Sequence, residues 1–265
     1  MPEPKKWMRL DNAAKIFPAV KRRDWSNVFR LSATLTQPID PLLLQEAVRL
    51  VAPRFPSMLV SLHRGLFWYY LEQVPEPPRV RPDSSCPLVH MTSRELETCA
   101  LRVLYFRNRI AVEFFHSITD GNGGLVFLKT LTAAYVSLRD GISIPPEEGV
   151  LDWHMPPDPA GGKDSFLKVG RSGFHEPPGG KCFPDSGGPG QGWFAFHLTV
   201  ATVSSEALRT LAKAHGVTIT AFLAARECCK PLWSSAPGGS HRWAKVTIPV
   251  DLRRLFESRT LRNFA

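Results

Sequence analysis

Apolar and polar positions alternate through Arg109-Ile110-Ala111-Val112-Glu113-Phe114-Phe115-His116, which places Ile110, Val112, Phe114 and His116 on one face of a strand. Leu101 to Phe106 has a similar strand pattern, and Arg107-Asn108-Arg109 supplies the turn of a hairpin. Earlier in the chain the period changes to that of a helix. Asp40 and Pro41 make a helix start, an N-cap carboxylate followed by proline at the first helical position. Leu44, Ala47, Val48 and Val51 then form an inward stripe that Pro53 and Pro56 end. Leu59 to Leu71 reads as two short strands around Arg64-Gly65. Leu125, Leu128, Leu131, Tyr135 and Leu138 keep helical spacing, predicting a helix packed on the sheet behind His116.

Beyond Pro145 the composition turns to Gly and Pro as far as Gly192, predicting a long irregular crossover. Strands are expected at Trp193–Val200 and Trp243–Val250. Between them, one helix capped by Ser204 or Ser205 runs to Ala214, and a second spans Thr220–Cys229. The predicted division is therefore residues 1–156, a crossover at 157–192, and a second subdomain at 193–265.

The chemistry concentrates where the first hairpin ends, at His116-Ser117-Ile118-Thr119-Asp120-Gly121. A histidine at the mouth of a strand, held by a tight turn, is placed to serve as a general base. Each residue also has a purely structural reading. His116 fits a core histidine bonded to a carbonyl, Asp120 an N-cap for the helix near Asn122, and Gly121 a positive-φ turn.

Several segments together carry a resemblance. Asp40 to Val48 followed by Arg54-Phe55-Pro56, Phe114 to Gly124 with its His-x-x-x-Asp-Gly motif, and Val203 to Leu223 contribute to it, as does Pro249-Val250-Asp251-Leu252-Arg253-Arg254 with Asn263. This set resembles the CoA-dependent acyltransferase superfamily, which includes chloramphenicol acetyltransferase, condensation domains and BAHD transferases. Leu10 to Pro18 and Gly65 to Leu71 are more specifically similar to bacterial alcohol acetyltransferase-like proteins.

The resemblance implies an α/β fold of the α+β type, a two-layer sandwich of mixed sheet and packed helices. His116 is then the catalytic base, with Asp120 and Gly121 in its motif and Arg253 as the salt-bridge partner of Asp120, joining the two subdomains. The Gly121 N–H is expected near the developing oxyanion. An acyl group, acetyl in the first instance, would pass from CoA to a small hydroxyl acceptor. Acyl-CoA is a co-substrate here; no cofactor is held permanently and no metal is required. The alternatives are a donor on an acyl carrier protein and a non-catalytic binding remnant. Phe115 stands where condensation domains carry a second His, which speaks against peptide-bond formation. The superfamily's Asp-Phe-Gly-Trp-Gly segment has no counterpart before Ala265, so the second subdomain is expected to be incomplete.

Composition narrows the partners. A chain of 265 residues with 43% apolar content can bury a sizeable core. No apolar run reaches the length of a membrane span, and Met1 to Arg9 lacks a signal-peptide core. The cysteines are Cys86, Cys99, Cys182, Cys228 and Cys229, an odd set without Cys-x-x-Cys spacing. That argues against a disulfide framework or zinc and for a cytoplasmic protein. The net charge of +9 is dispersed, with acidic residues such as Asp24, Asp251 and Glu257 interrupting the basic clusters. We therefore expect no nucleic-acid partner, although some of these cations could attract the phosphates of CoA.

Overall fold

A computed structural model describes residues 6–20, 26–84, 86–169, 200–234 and 246–265, with side chains 229–234 left out. The elements in chain order are β1 (Trp7–Arg9), α1 (Ile16–Ala19), β2 (Val28–Thr34), α2 (Pro41–Val51), β3 (Val60–Arg64), β4 (Tyr69–Gln73) and β5 (Arg81–Pro82). They continue with α3 (Ser93–Thr98), β6 (Leu101–Phe106), β7 (Arg109–Phe115), α4 (Gly121–Asp140), α5 (Ser205–Ala214) and α6 (Ile219–Ser234). One compact unit holds residues 1–170 and 250–265, and a second holds 171–249. The last sixteen residues thus pack with the first unit, whereas the sequence grouped them with 193–265.

The first unit is an α/β assembly built on two sheets. A mixed sheet runs in the order β2-β7-β6-β5, antiparallel except for the short parallel pair β5 and β6. An antiparallel sheet runs β1-β4-β3. The two meet at Ala100, whose N–H donates to the Val60 carbonyl (2.8 Å) and whose carbonyl accepts from the Phe115 N–H (2.9 Å). Helix α4 packs on β2 and β7, and α2 packs on α4.

Local chemistry accounts for these elements. The Asp40 carboxylate accepts from the Leu42 and Leu43 N–H groups, and the predicted stripe Leu44, Ala47, Val48 and Val51 is fully buried. Thr92 and Glu95 form a reciprocal capping box on α3. Helix α4 ends at Gly141, whose φ of 64° is the left-handed C-cap conformation that glycine adopts freely. The buried face of α4 is Phe127, Leu128, Leu131, Ala134 and Tyr135, while Leu125 and Leu138 are each 42% exposed. The predicted stripe thus holds at Leu128, Leu131 and Tyr135 and not at its two ends, and Phe127 and Ala134 complete the buried face.

β7 corrects the one-faced reading of its alternation, since Ile110 through Phe115 are all buried. Glu113 lies under the segment following β5, its carboxylate paired with Arg30 (2.7 Å) and Arg102 (3.0 Å). Asp83 adds pairs to Arg30 (2.8 Å) and Arg109 (3.0 Å). Five mutually compensating charged groups, two carboxylates and three guanidiniums, allow Glu113 into a covered sheet face, which an isolated charge could not enter.

In the second unit, Ser204 caps α5 through the Ala207 N–H (3.3 Å), and α5 packs against α6. The strand expected at Trp193–Val200 lies outside the described residues apart from Val200. Residues 246–250 form no strand: they lack ladder partners among the described residues, and Val246, Ile248 and Val250 are 41%, 48% and 55% exposed. No described helix is long and apolar enough to cross a membrane.

Candidate functional site

His116 directly follows β7, and a cage of local contacts fixes its backbone and ring. Its N–H donates to the Asn27 carbonyl (2.8 Å), while the Asn27 side-chain amide donates to the Phe17 carbonyl (2.7 Å). That bridge seats Phe17 on the imidazole, stacked at 4.3 Å between centroids and 12° between planes. Phe29 from β2 covers the ring from another direction at 4.8 Å and 54°. The Ser117 hydroxyl donates to the Ala14 carbonyl (3.0 Å), tying the following residue to the same segment before α1.

The imidazole has one polar side-chain contact among the described residues. Its Nδ1 faces Asn263 Oδ1 at 3.3 Å, and the Asn263 amide nitrogen donates to the His116 carbonyl (3.0 Å). The side chain is half-buried. Asp11 is buried in the neighbouring loop, where one carboxylate oxygen accepts from the Ala14 N–H (2.7 Å) and the other lies 3.4 Å from Arg262 Nε. Burial pushes this carboxyl up, opposed by the Ala14 N–H, Arg262 and Asn263.

Asp120 serves two purposes that the sequence offered as alternatives. One oxygen accepts from the Gly123 N–H (3.1 Å), capping α4. The carboxylate also meets the Arg253 guanidinium in a two-pronged pair at 2.9 and 3.0 Å, with both side chains 10% exposed or less. The Phe264 N–H supplies a further bond to Asp120 (2.9 Å). Arg253 spends its remaining donors on the carbonyls of Thr260 (2.8 Å) and Arg262 (2.6 Å) and on Asp251 (3.0 Å). The pair thus pins residues 251–264 to the start of α4, inside the first unit. It was expected instead to join the two subdomains.

The glycines also redistribute. Gly121 is the first residue of α4 and has open space around a would-be Cβ, so neither a tight approach nor a positive φ explains it. Gly123 and Gly124 carry the steric demand. A Cβ on Gly123 would overlap the Leu261 carbonyl and the Thr119 hydroxyl, and one on Gly124 would meet Phe114, Phe29 and Leu31 at 3.1–3.2 Å. These two let the C-terminal segment and the sheet close on α4.

A cavity of about 780 Å³ is lined among others by Leu10, Lys15, Pro18, Tyr69 and Arg262. Pro18 follows Phe17 in the chain and Arg262 precedes Asn263, but neither the imidazole nor the two rings on it line the cavity. No group of three or more His, Cys, Asp or Glu suited to a metal occurs among the described residues. Sequence reasoning quoted Asn263 as a motif match without giving it a role, and it missed Asn27, Phe17, Phe29 and Asp11. Asp11 and Phe17 lie in the stretch from Leu10 to Pro18 that carries the closer resemblance, where neither was given a role, and no motif pointed to Asn27.

No protein-family model matches the chain, and no curated protein does. Among solved structures, the chain is similar to a condensation domain and to two further proteins. The first condensation domain of the calcium-dependent antibiotic synthetase aligns at 16% identity and TM-score 0.42, covering 53% of this chain and 39% of that one. SgcC5 from Streptomyces globisporus aligns at 20% identity and TM-score 0.42, with 53% and 38% coverage. Polyketide synthase associated protein 5 from Mycobacterium tuberculosis gives 15%, 0.39, 53% and 36%. The chain spans well under half of each.

Proposed function

We propose that the chain carries an acyltransferase centre in which His116 is the general base. The observation behind this reading is the state of the imidazole. It is half-buried, clamped between two aromatic rings and bonded through Nδ1, while Nε2 has no hydrogen-bond partner among the described residues. A ring held this way has lost its rotational freedom and keeps one nitrogen for proton transfer.

In the proposed reaction Nε2 takes the proton of an acceptor hydroxyl as its oxygen attacks the carbonyl carbon of an acyl thioester. The C–S bond then breaks, and the same proton passes to the departing thiolate. Asp120 and Arg253 hold the loop without touching the reacting atoms. CoA is the donor in this reading, and acetyl the simplest acyl group.

The test is thiol release from acetyl-CoA, and from an acyl carrier protein, with a panel of small alcohols. A positioned base is worth about 10²- to 10⁴-fold. Acceptor-dependent release that falls by this order in His116→Ala supports the reading. Undiminished release in the variant, or none from wild type with either donor, overturns it.

A further inference from the structure

We infer that Asn263 is the positioning residue of His116: its amide oxygen holds the proton on Nδ1, so the basic lone pair of the neutral ring sits on Nε2. This deepens the acyl-transfer reading and, as regards turnover, rests on it. The tautomer itself can be measured without any turnover.

A backbone carbonyl can only accept, so the Asn263 atom 3.0 Å from the His116 carbonyl is the amide nitrogen. That settles which way the amide faces. The atom turned toward Nδ1, at 3.3 Å, is then the amide oxygen, which has no hydrogen to give. An oxygen that can only accept favours the ring form with hydrogen on Nδ1. The flipped amide would put its oxygen against the His116 carbonyl oxygen and its N–H₂ against Nδ1.

The surroundings make the bond hard to replace. Asn263 is 3% exposed, so water is poorly placed to substitute for the amide. Phe17 and Phe29 keep the ring from turning to exchange its nitrogens. Asn263 is itself held between neighbours with their own anchors. On one side Arg262 donates to the Arg9 carbonyl (2.6 Å), and on the other the Phe264 N–H donates to Asp120. The Asp120–Arg253 pair therefore acts on His116 at one remove, by seating the segment that carries Asn263. An unconstrained neutral imidazole favours hydrogen on Nε2, the form that cannot accept a proton there. Without Asn263, the competent form becomes the minority.

The experiment uses the full 265-residue chain with ¹⁵N-labelled histidine. Long-range ¹H–¹⁵N correlation at a pH where the ring is neutral distinguishes protonated from lone-pair nitrogens, and the spectrum of His116→Ala assigns the His116 signals. Wild type should show Nδ1 protonated and Nε2 bare. Asn263→Ala should move the proton largely to Nε2, and Asn263→Asp, which keeps an acceptor oxygen, should retain it on Nδ1. A wild-type spectrum with hydrogen on Nε2 overturns the inference whether or not the variants fold, as does a folded Asn263→Ala with hydrogen still on Nδ1. In turnover, Asn263→Ala should lower kcat about tenfold or more with KM little changed, since it removes part of what a positioned base contributes. Wild type that shows the expected tautomer but releases no thiol would leave this inference standing and refute the acyl-transfer reading alone.

Discussion

Removing one partner of the Asp120–Arg253 pair should cost far more than an ordinary salt bridge. Both side chains are 10% exposed or less, the contacts are 2.9 and 3.0 Å, and neither group has water to fall back on. Breaking such a buried pair from one side costs about 3–5 kcal/mol, because the survivor stays buried. A surviving Asp120 has no other cation among the described residues, whereas a surviving Arg253 keeps Asp251 at 3.0 Å and belongs at the lower end. Asp120→Ala also loses the α4 cap, worth about 1 kcal/mol, and the acceptor for the Phe264 N–H. The sum is about 4–6 kcal/mol, against a total domain stability of about 5–15 kcal/mol. Asp120→Asn keeps an oxygen for the N–H groups and should stay near the lower end. Urea unfolding of Asp120→Asn, Arg253→Met and the double variant completes a cycle, and the double should be less damaged than the sum of the singles. The charge-reversed pair, Asp120→Arg with Arg253→Asp, looks from sequence alone like a rescue. The structure predicts none. Position 120 faces the N–H groups of Gly123 and Phe264, and position 253 faces the carbonyls of Thr260 and Arg262, so reversal sets donors against donors at 120 and acceptors against acceptors at 253. Single-variant losses below about 1 kcal/mol, the scale of an exposed pair, would refute this reasoning, as would substantial recovery in the reversed pair.

Other perturbations follow from the same packing. Gly123→Ala should destabilise by about 1–3 kcal/mol as an overpacked contact, while Gly121→Ala should be neutral or stabilising by up to about 1 kcal/mol; thermal unfolding of the two variants compares them directly. Burial pushes the Cys99 thiol up to about 11, so in the folded protein at neutral pH iodoacetamide should modify exposed Cys86 and spare Cys99, as read by peptide mass spectrometry. Burial raises the Glu95 carboxyl, but the Thr92 N–H and Arg102 outweigh it and hold the group below its ordinary value of 4.5. The stability Glu95 contributes should therefore be fully present above that value and be lost as pH falls through the lower folded pKa. In a pH series of urea melts, Glu95→Gln should show a smaller acid-side loss than wild type; equal slopes would exclude Glu95 as a source.

Much of this protein is legible in its sequence because much of it is local. The Asp40-Pro41 cap, the α2 stripe, the β6–β7 hairpin and the Ser204 cap depend on neighbours within a few residues, and residue type and spacing carry that information directly. The motif at His116 was visible for the same reason, as was the opposition of Asp120 and Arg253 through the resemblance. Tertiary structure decided everything that needed two distant segments. It covered both faces of β7 and turned Glu113 from an outward residue into the centre of a buried charge cluster. It moved the glycine requirement from Gly121 to Gly123, because the returning Leu261 carbonyl, together with the Thr119 hydroxyl, takes the space beside position 123. It also brought Asn263 to within 3.3 Å of an imidazole 147 positions away. No period or spacing encodes such a contact; it arises when the chain returns and buried donors and acceptors must find one another.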